Sequence, residues 1–190
     1  LKGGDPFLFG RGGEEIEELL AGGIDYEVVP GITSALAVPA YNGIPVTHRD
    51  YCSSLHIITG HKRRGKSLEL DYEALCRMEG TLVFLMGVAS APEICHGLIT
   101  AGMNPQMPAA LLSHGTTAGQ QRLISTVSEL PRRMEKEKLP TPAILLIGKV
   151  CALAEDFGWY EKLPLAGTRV VLTRPKQRMY RLAEKFRSLG

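Results

Sequence analysis

The run Gly3-Gly4-Asp5-Pro6-Phe7-Leu8-Phe9-Gly10-Arg11-Gly12-Gly13, leading into Glu14-Glu15, constrains this chain more than any other stretch. Five glycines, one proline and one acid bracket three apolar residues. Glycine permits positive φ and lacks the Cβ that keeps a partner at a distance, so such a loop lets backbone close on a ligand. A ligand loop needs a strand to deliver it and a core beneath it. Only two residues precede this one and the first is Leu, so the expectation is a chain that starts inside a domain.

Past the loop the pattern alternates helix and strand. Gly13 to Ala21 sets Ile16, Leu19 and Leu20 on one face, with glutamates at the positive end of the helix dipole. Gly22-Gly23 ends that helix. Tyr26 to Val29 reads as a short strand stopped by Pro30-Gly31. The apolar run Ala35 to Tyr41 reads as a buried helix with Thr33 or Ser34 near its cap, broken by Asn42-Gly43-Ile44-Pro45. This is the closing half of a parallel α/β domain.

A second unit begins near Ser53. Strands are expected at Leu55 to Thr59, Thr81 to Met86, Ala109 to Ser113, Arg122 to Val127 and Ala143 to Gly148. Helices are expected at Asp71 to Met78, Ala91 to Ala101 and Glu129 to Lys138. The last stretch fits neither unit: a strand at Arg169 to Thr173, a turn at Arg174-Pro175 and a helix at Met179 to Leu189 read as the opening of another domain. The division is therefore 1–50, 51–160 and 161–190.

Bulk properties exclude several classes. A net charge of +2 gives no electrostatic footprint for nucleic acid. No apolar run is long enough to span a bilayer. Cys52, Cys76, Cys95 and Cys151 form no C-x-x-C pair, which leaves free thiols and suggests a reducing, cytoplasmic setting. The five histidines lie apart without ligand spacing, so no metal site is expected.

Three strings, LKGGDPFLFGRGGEE, VVPGITSALAVPAYNGIPVTHR and IITGH, occur in order over residues 1 to about 155. Together they resemble the tetrapyrrole methylase family, and within it the uroporphyrinogen-III C-methyltransferases. The tail LAGTRVVLTRPKQRMYRLAEKFRSLG looks like the start of a uroporphyrinogen-III synthase domain. The resemblance implies the tetrapyrrole methylase fold: two α/β domains with S-adenosylmethionine in the cleft between them, the N-terminal domain incomplete here. It also implies a homodimer fused to a synthase, and two methyl transfers to uroporphyrinogen III giving precorrin-2 for sirohaem and cobalamin. Alternatives are a precorrin methyltransferase acting later in the pathway, or an inactive folded fragment without its N-terminal cofactor loop. A nucleotide-binding module is the weakest reading, since no phosphate-loop pattern follows a strand.

By motif position, the resemblance assigns Gly3, Gly4, Asp5, Leu8, Thr33, Ser34, Met86, Gly115 and Ala143 to the cofactor. It assigns Arg11 and Glu14 to catalysis and substrate contact, with Thr47 and His48 on the substrate side. Read from the residues alone, Gly3-Gly4-Asp5 is equally an ordinary βα turn, Thr33-Ser34 a helix cap, and Met86 core filler. Arg11 and Glu14 are equally a surface charge pair. Arginine's very high pKa makes it a clamp for substrate carboxylates rather than a proton acceptor. Lys62-Arg63-Arg64-Gly65-Lys66 reads as a solvated basic loop able to attract a polyanion. Lys149 stands where the family pattern has Glu, at a position read as peripheral.

Overall fold

The computed structural model describes residues 2–60, 69–173, 175 and 179–190. The basic run 62–66 and part of the 174–178 turn lie outside the described residues. Five strands form one mixed sheet: β1 (Leu55–Thr59), β2 (Thr81–Leu85), β3 (Pro108–Ser113), β4 (Gln121–Thr126) and β5 (Ala143–Ile147), in the order β1-β2-β5-β3-β4. β1 and β2 run parallel, Ile57 opposite Val83; the other pairings are antiparallel, with Val83 opposite Leu146 and Ala110 opposite Leu146.

Side chains alternate across each strand, and both faces are covered. Leu82, Phe84, Leu111, Leu145 and Ile147 point to one side. They pack there against α4 (Ala91–Thr100), α5 (Leu130–Glu137) and the half-buried residues of α3 (Tyr72–Arg77). Asp71 caps α3 by accepting the Ala74 N–H at 2.8 Å. Val83, Leu85, Leu112, Ile144 and Leu146 point to the other side. Their cover comes from α2 (Ser34–Tyr41), through Ala35 and Val38, and from the 3₁₀ turn Lys149–Leu153 and α6 (Ala154–Phe157). A helix from the expected first unit thus seals one face of the second unit's sheet.

Trp159 and Tyr160 lock the end of α2. The indole N–H of Trp159 donates to Ala40 O at 2.9 Å, and both rings pack against Tyr41. Arg122 on β4 donates to Asn42 O and Ala154 O.

Around this body the expected elements fare unevenly. α1 (Gly12–Ala21) forms as expected, with Ile16 half-buried, although Leu20 is 60% exposed. Tyr26 to Val29 forms no strand and pairs with nothing among the described residues, and Val29 is 71% exposed. The same holds for Arg169 to Thr173, where Val171 is 79% exposed. Both corrections have one cause: a strand exists only in a ladder, and among the described residues neither segment has a neighbour to supply one. The C-terminal helix α7 (Tyr180–Arg187) does form, and Leu165 N–H donates to Leu189 O beside it. The turn at Lys149 and α6 carry no periodic signal and were not expected from the sequence.

Candidate functional site

A cleft of ≈ 740 Å³ opens at the end of the sheet where β2 and β3 finish and β5 begins. All nine cofactor candidates line it: Gly3, Gly4, Asp5, Leu8, Thr33, Ser34, Met86, Gly115 and Ala143. They come from five separate stretches of chain, so the convergence is tertiary rather than local.

One wall is the N-terminal loop. Asp5 shapes it: Oδ1 accepts the Phe7 N–H at 2.8 Å and Oδ2 accepts the Gly31 N–H at 3.2 Å. The Gly31 and Phe7 amides hold the Asp5 carboxyl below its ordinary value of 3.8. Asp5 therefore fastens its own loop to Pro30-Gly31 as well as facing the cleft. Gly4 and Gly31 touch backbone to backbone, and a Cβ on Gly31 would overlap the Gly4 carbonyl. Thr33 is the N-cap of α2, its Oγ1 accepting the Ala35 N–H at 3.2 Å. The cap reading of Thr33 is correct and coexists with its place on the cleft wall.

The opposite wall belongs to the sheet. Met86 follows β2 and is 54% exposed rather than filling the core. Gly115 is pressed against Val38 of α2, where a Cβ would collide with the valine methyls. His114 is tied to the segment before β5, its N–H donating to Pro142 O at 2.9 Å. Ser113 Oγ reaches both His114 Nδ1 and Pro140 O.

Four non-glycine residues on the cleft, Phe9, Met86, His114 and Thr116, sit in the left-handed region with φ of 55°, 56°, 45° and 68°. Such conformations are costly and persist where surrounding structure over-determines them, commonly at ligand sites. Sequence reading missed Phe9, His114, Thr116 and Thr117. Their proximity to Gly10 and Gly115 was the one available signal. The left-handed backbone of a threonine or histidine has no sequence signature.

The four substrate candidates stand apart from the cleft lining. Arg11 Nε and Glu14 Oε2 pair with each other at 2.5 Å, with side chains 79% and 61% exposed. Thr47 is exposed and His48 half-buried. The His48 ring stacks edge-on against Tyr51 at 4.9 Å, and its Nδ1 accepts the Asp50 N–H at 3.2 Å. Lys149 lines a smaller hollow at the opposite end of the sheet, with Cys52, Cys76 and Gly148. Among the described residues no cluster of His, Cys, Asp or Glu is arranged to hold a metal, and no helix is long and apolar enough to cross a membrane.

Residues 1–131 match the family described as Tetrapyrrole (Corrin/Porphyrin) Methylases. A porphyrin biosynthesis protein HemD from Ruminiclostridium josui is 52% identical over 190 residues, all of this chain and 38% of that protein. A sirohaem synthase from Azotobacter vinelandii is 48% identical over 161 residues, 85% of this chain and 34% of the relative. The chain thus spans little more than a third of the curated relatives it matches. Among solved structures, a uroporphyrin-III C-methyltransferase from Thermus thermophilus, complexed with S-adenosylhomocysteine, superposes with a TM-score of 0.68 at 35% identity. That match covers 80% of this chain and 66% of the other. A mixed α/β sheet with a cleft at one end, the matched family model and these relatives agree, and the chain belongs to the tetrapyrrole methylase family.

Proposed function

We propose that this chain is the methyltransferase portion of a longer protein that methylates uroporphyrinogen III from S-adenosylmethionine, in two transfers giving precorrin-2. The observation that carries the reading is the convergence of the nine candidate residues on a single cleft. Its volume lies within the range usual for cofactor sites, which are about 300–1,000 Å³.

The donor set suits the cofactor. Small residues at Gly3, Gly4, Gly115 and Ala143 let a flat ring or an extended chain lie against backbone. Leu8 and Met86 offer apolar surface, and the Asp5 carboxylate retains acceptor capacity towards an ammonium group. S-adenosylmethionine supplies an activated methyl group on a sulfonium. The protein's part in such a transfer is to align the acceptor carbon and to exclude water. Arg11 takes the role of a fork donor clamping substrate carboxylates, and Glu14 that of an acceptor for pyrrole N–H groups. Their mutual ion pair is exposed, so opening it costs little. Thr47 and His48 are assigned to the substrate side.

The reading extends to organisation. Residues 1–50 are taken as the C-terminal half of the first methylase domain and 51–160 as the second, with α2 packed across onto the second. Residues 161–190 are taken as the linker and start of a synthase-like domain, in a cytoplasmic homodimer. Titration with S-adenosylhomocysteine, followed by an anaerobic assay with S-adenosylmethionine and uroporphyrinogen III, tests it. Binding together with the absorbance of precorrin-2 is the expected result. Binding without turnover, with turnover restored in a form extended at its N-terminus, keeps the family chemistry and makes this portion a cofactor-holding fragment. Failure in both forms overturns the substrate assignment.

A further inference from the structure

We infer that Gln120, which does not itself line the cleft, is a positioning residue that holds two of its walls in register. Its planar amide is fully used. Oε1 accepts the Thr116 N–H at 2.9 Å, while Nε2 donates to Tyr41 O at 3.1 Å and to Glu161 Oε1 at 3.2 Å. Thr116 lies on the cleft in the left-handed region, an unfavourable place for a β-branched residue, so something must hold it there. Tyr41 ends the helix α2, whose first residue, Ser34, lines the facing wall. One side chain therefore joins the strained turn at Thr116 to the far end of the helix opposite.

The chemistry demands an amide. One acceptor and two donors are needed in a single planar group, and only Asn or Gln provides them. Among the described residues, the charged groups beside it are Glu161 and Arg122, the latter at 3.4 Å from Glu161 Oε1, while Tyr160 and Arg187 share a hollow with Tyr41 and Thr116. A carboxylate at position 120 could still accept from Thr116. It would set oxygen against the Tyr41 carbonyl and the Glu161 carboxylate. Two carboxylates at that spacing hold a proton more tightly than either alone, so acid restores a donor there.

This inference rests on the S-adenosylmethionine reading of the cleft, and the affinity of the unsubstituted protein for S-adenosylhomocysteine is measured first to separate the two. No binding there overturns the cofactor reading itself. Given binding, Gln120→Glu is expected to weaken it about tenfold at about pH 8, the scale of a lost pair of hydrogen bonds. Measured against the unsubstituted protein at the same pH, most of that loss should return by about pH 5.5. Pairing Gln120→Glu with Glu161→Gln should restore part of the affinity at the higher pH. Gln120→Met, which keeps the bulk and adds no charge, should weaken binding equally at both pH values. Either single variant binding like the unsubstituted protein, or Gln120→Glu staying weak in acid with an unchanged melting temperature, overturns the inference.

Discussion

The sheet-bearing stretch from Leu55 to Phe157 and the stretch from Lys2 to Thr33 are held together by different means, although each supplies one side of the same cleft. In the first, Phe84, Leu98, Leu111 and Leu145 are completely or almost completely inaccessible, and the sheet is covered on both faces. In the second, Ile32 is 77% exposed, Val29 71% and Phe7 58%, and the segment after α1 pairs with no strand among the described residues. Among the described residues its fastenings are mainly polar: the Asp5 carboxylate on Phe7 and Gly31, the Lys2–Glu15 ion pair, the Gly12 N–H on Pro6 O, the Thr33 cap, and the backbone contact of Gly4 with Gly31. One wall rests on a sheet buried on both faces, with α2 as part of its cover, and the other is pinned. Stability and ligand affinity should therefore respond to different substitutions.

The largest separation is expected between two apolar truncations. Phe84→Ala empties a fully buried site in β2, an interior strand of the sheet, and should cost about 3–5 kcal/mol in urea unfolding. Ile32→Ala removes a side chain that is already mostly in water and should change stability by no more than about 0.5 kcal/mol. Comparable losses for both would mean that the N-terminal stretch is part of the same cooperative core.

Next comes Gly31→Ala, which affects the pinned wall alone. The new Cβ cannot fit beside the Gly4 carbonyl, so the two loops must part. Calorimetric titration should show S-adenosylhomocysteine affinity falling about tenfold or more, with the main unfolding transition moved by about 1 kcal/mol or less. A large drop in stability with affinity intact would reverse the assignment of roles to the two walls.

The same contrast explains what could be read in advance. β1, β2 and β5 were legible because each is a short apolar run bounded by turn residues, and each meets a neighbouring strand that completes its ladder. Tyr26 to Val29 and Arg169 to Thr173 have the same local pattern, but local pattern does not provide a neighbour. The Lys149–Leu153 turn and α6 were invisible because four or five residues carry no period. In the cleft, the glycine loop and Gly115 announced themselves. His114 and Thr116 did not, since their left-handed backbone is imposed by hydrogen bonds to residues distant in sequence, or to the Gln120 side chain.

Alkaline pH should act on the sheet side. Cys95 in α4 and Cys151 in the turn after β5 have thiols pushed up to about 12 by burial, from an ordinary value of 9.0. A pKa raised in the folded state contributes stability that is complete below 9.0 and is lost as pH rises from there towards 12. The urea midpoint should therefore decline above about pH 9, and replacing both residues by alanine should flatten that decline. Iodoacetamide at about pH 8 should leave both unmodified until the protein is unfolded. Rapid labelling of either in the folded protein would show that its face of the sheet opens.

The smallest effect belongs to the pinned wall and has the opposite sign in pH. The Gly31 and Phe7 amides lower the Asp5 carboxyl from 3.8, so the fastening is complete above that value and is lost as pH falls through the lowered one. Asp5 is only half-buried, so the whole-protein transition should barely register the loss of this one contact. The Gly31 amide should register it, because its partner changes from a carboxylate to a neutral acid. In proton–nitrogen spectra its resonance is expected to titrate below the ordinary carboxyl range while core amides of β2 hold still. Asp5→Asn should abolish that titration and speed Gly31 exchange with solvent by several-fold. Were the amide of Gly31 to stay fixed through the acid limb, the Asp5 contact would not be what holds the loop. The backbone approach of Gly4 to Gly31 would then have to carry that wall alone.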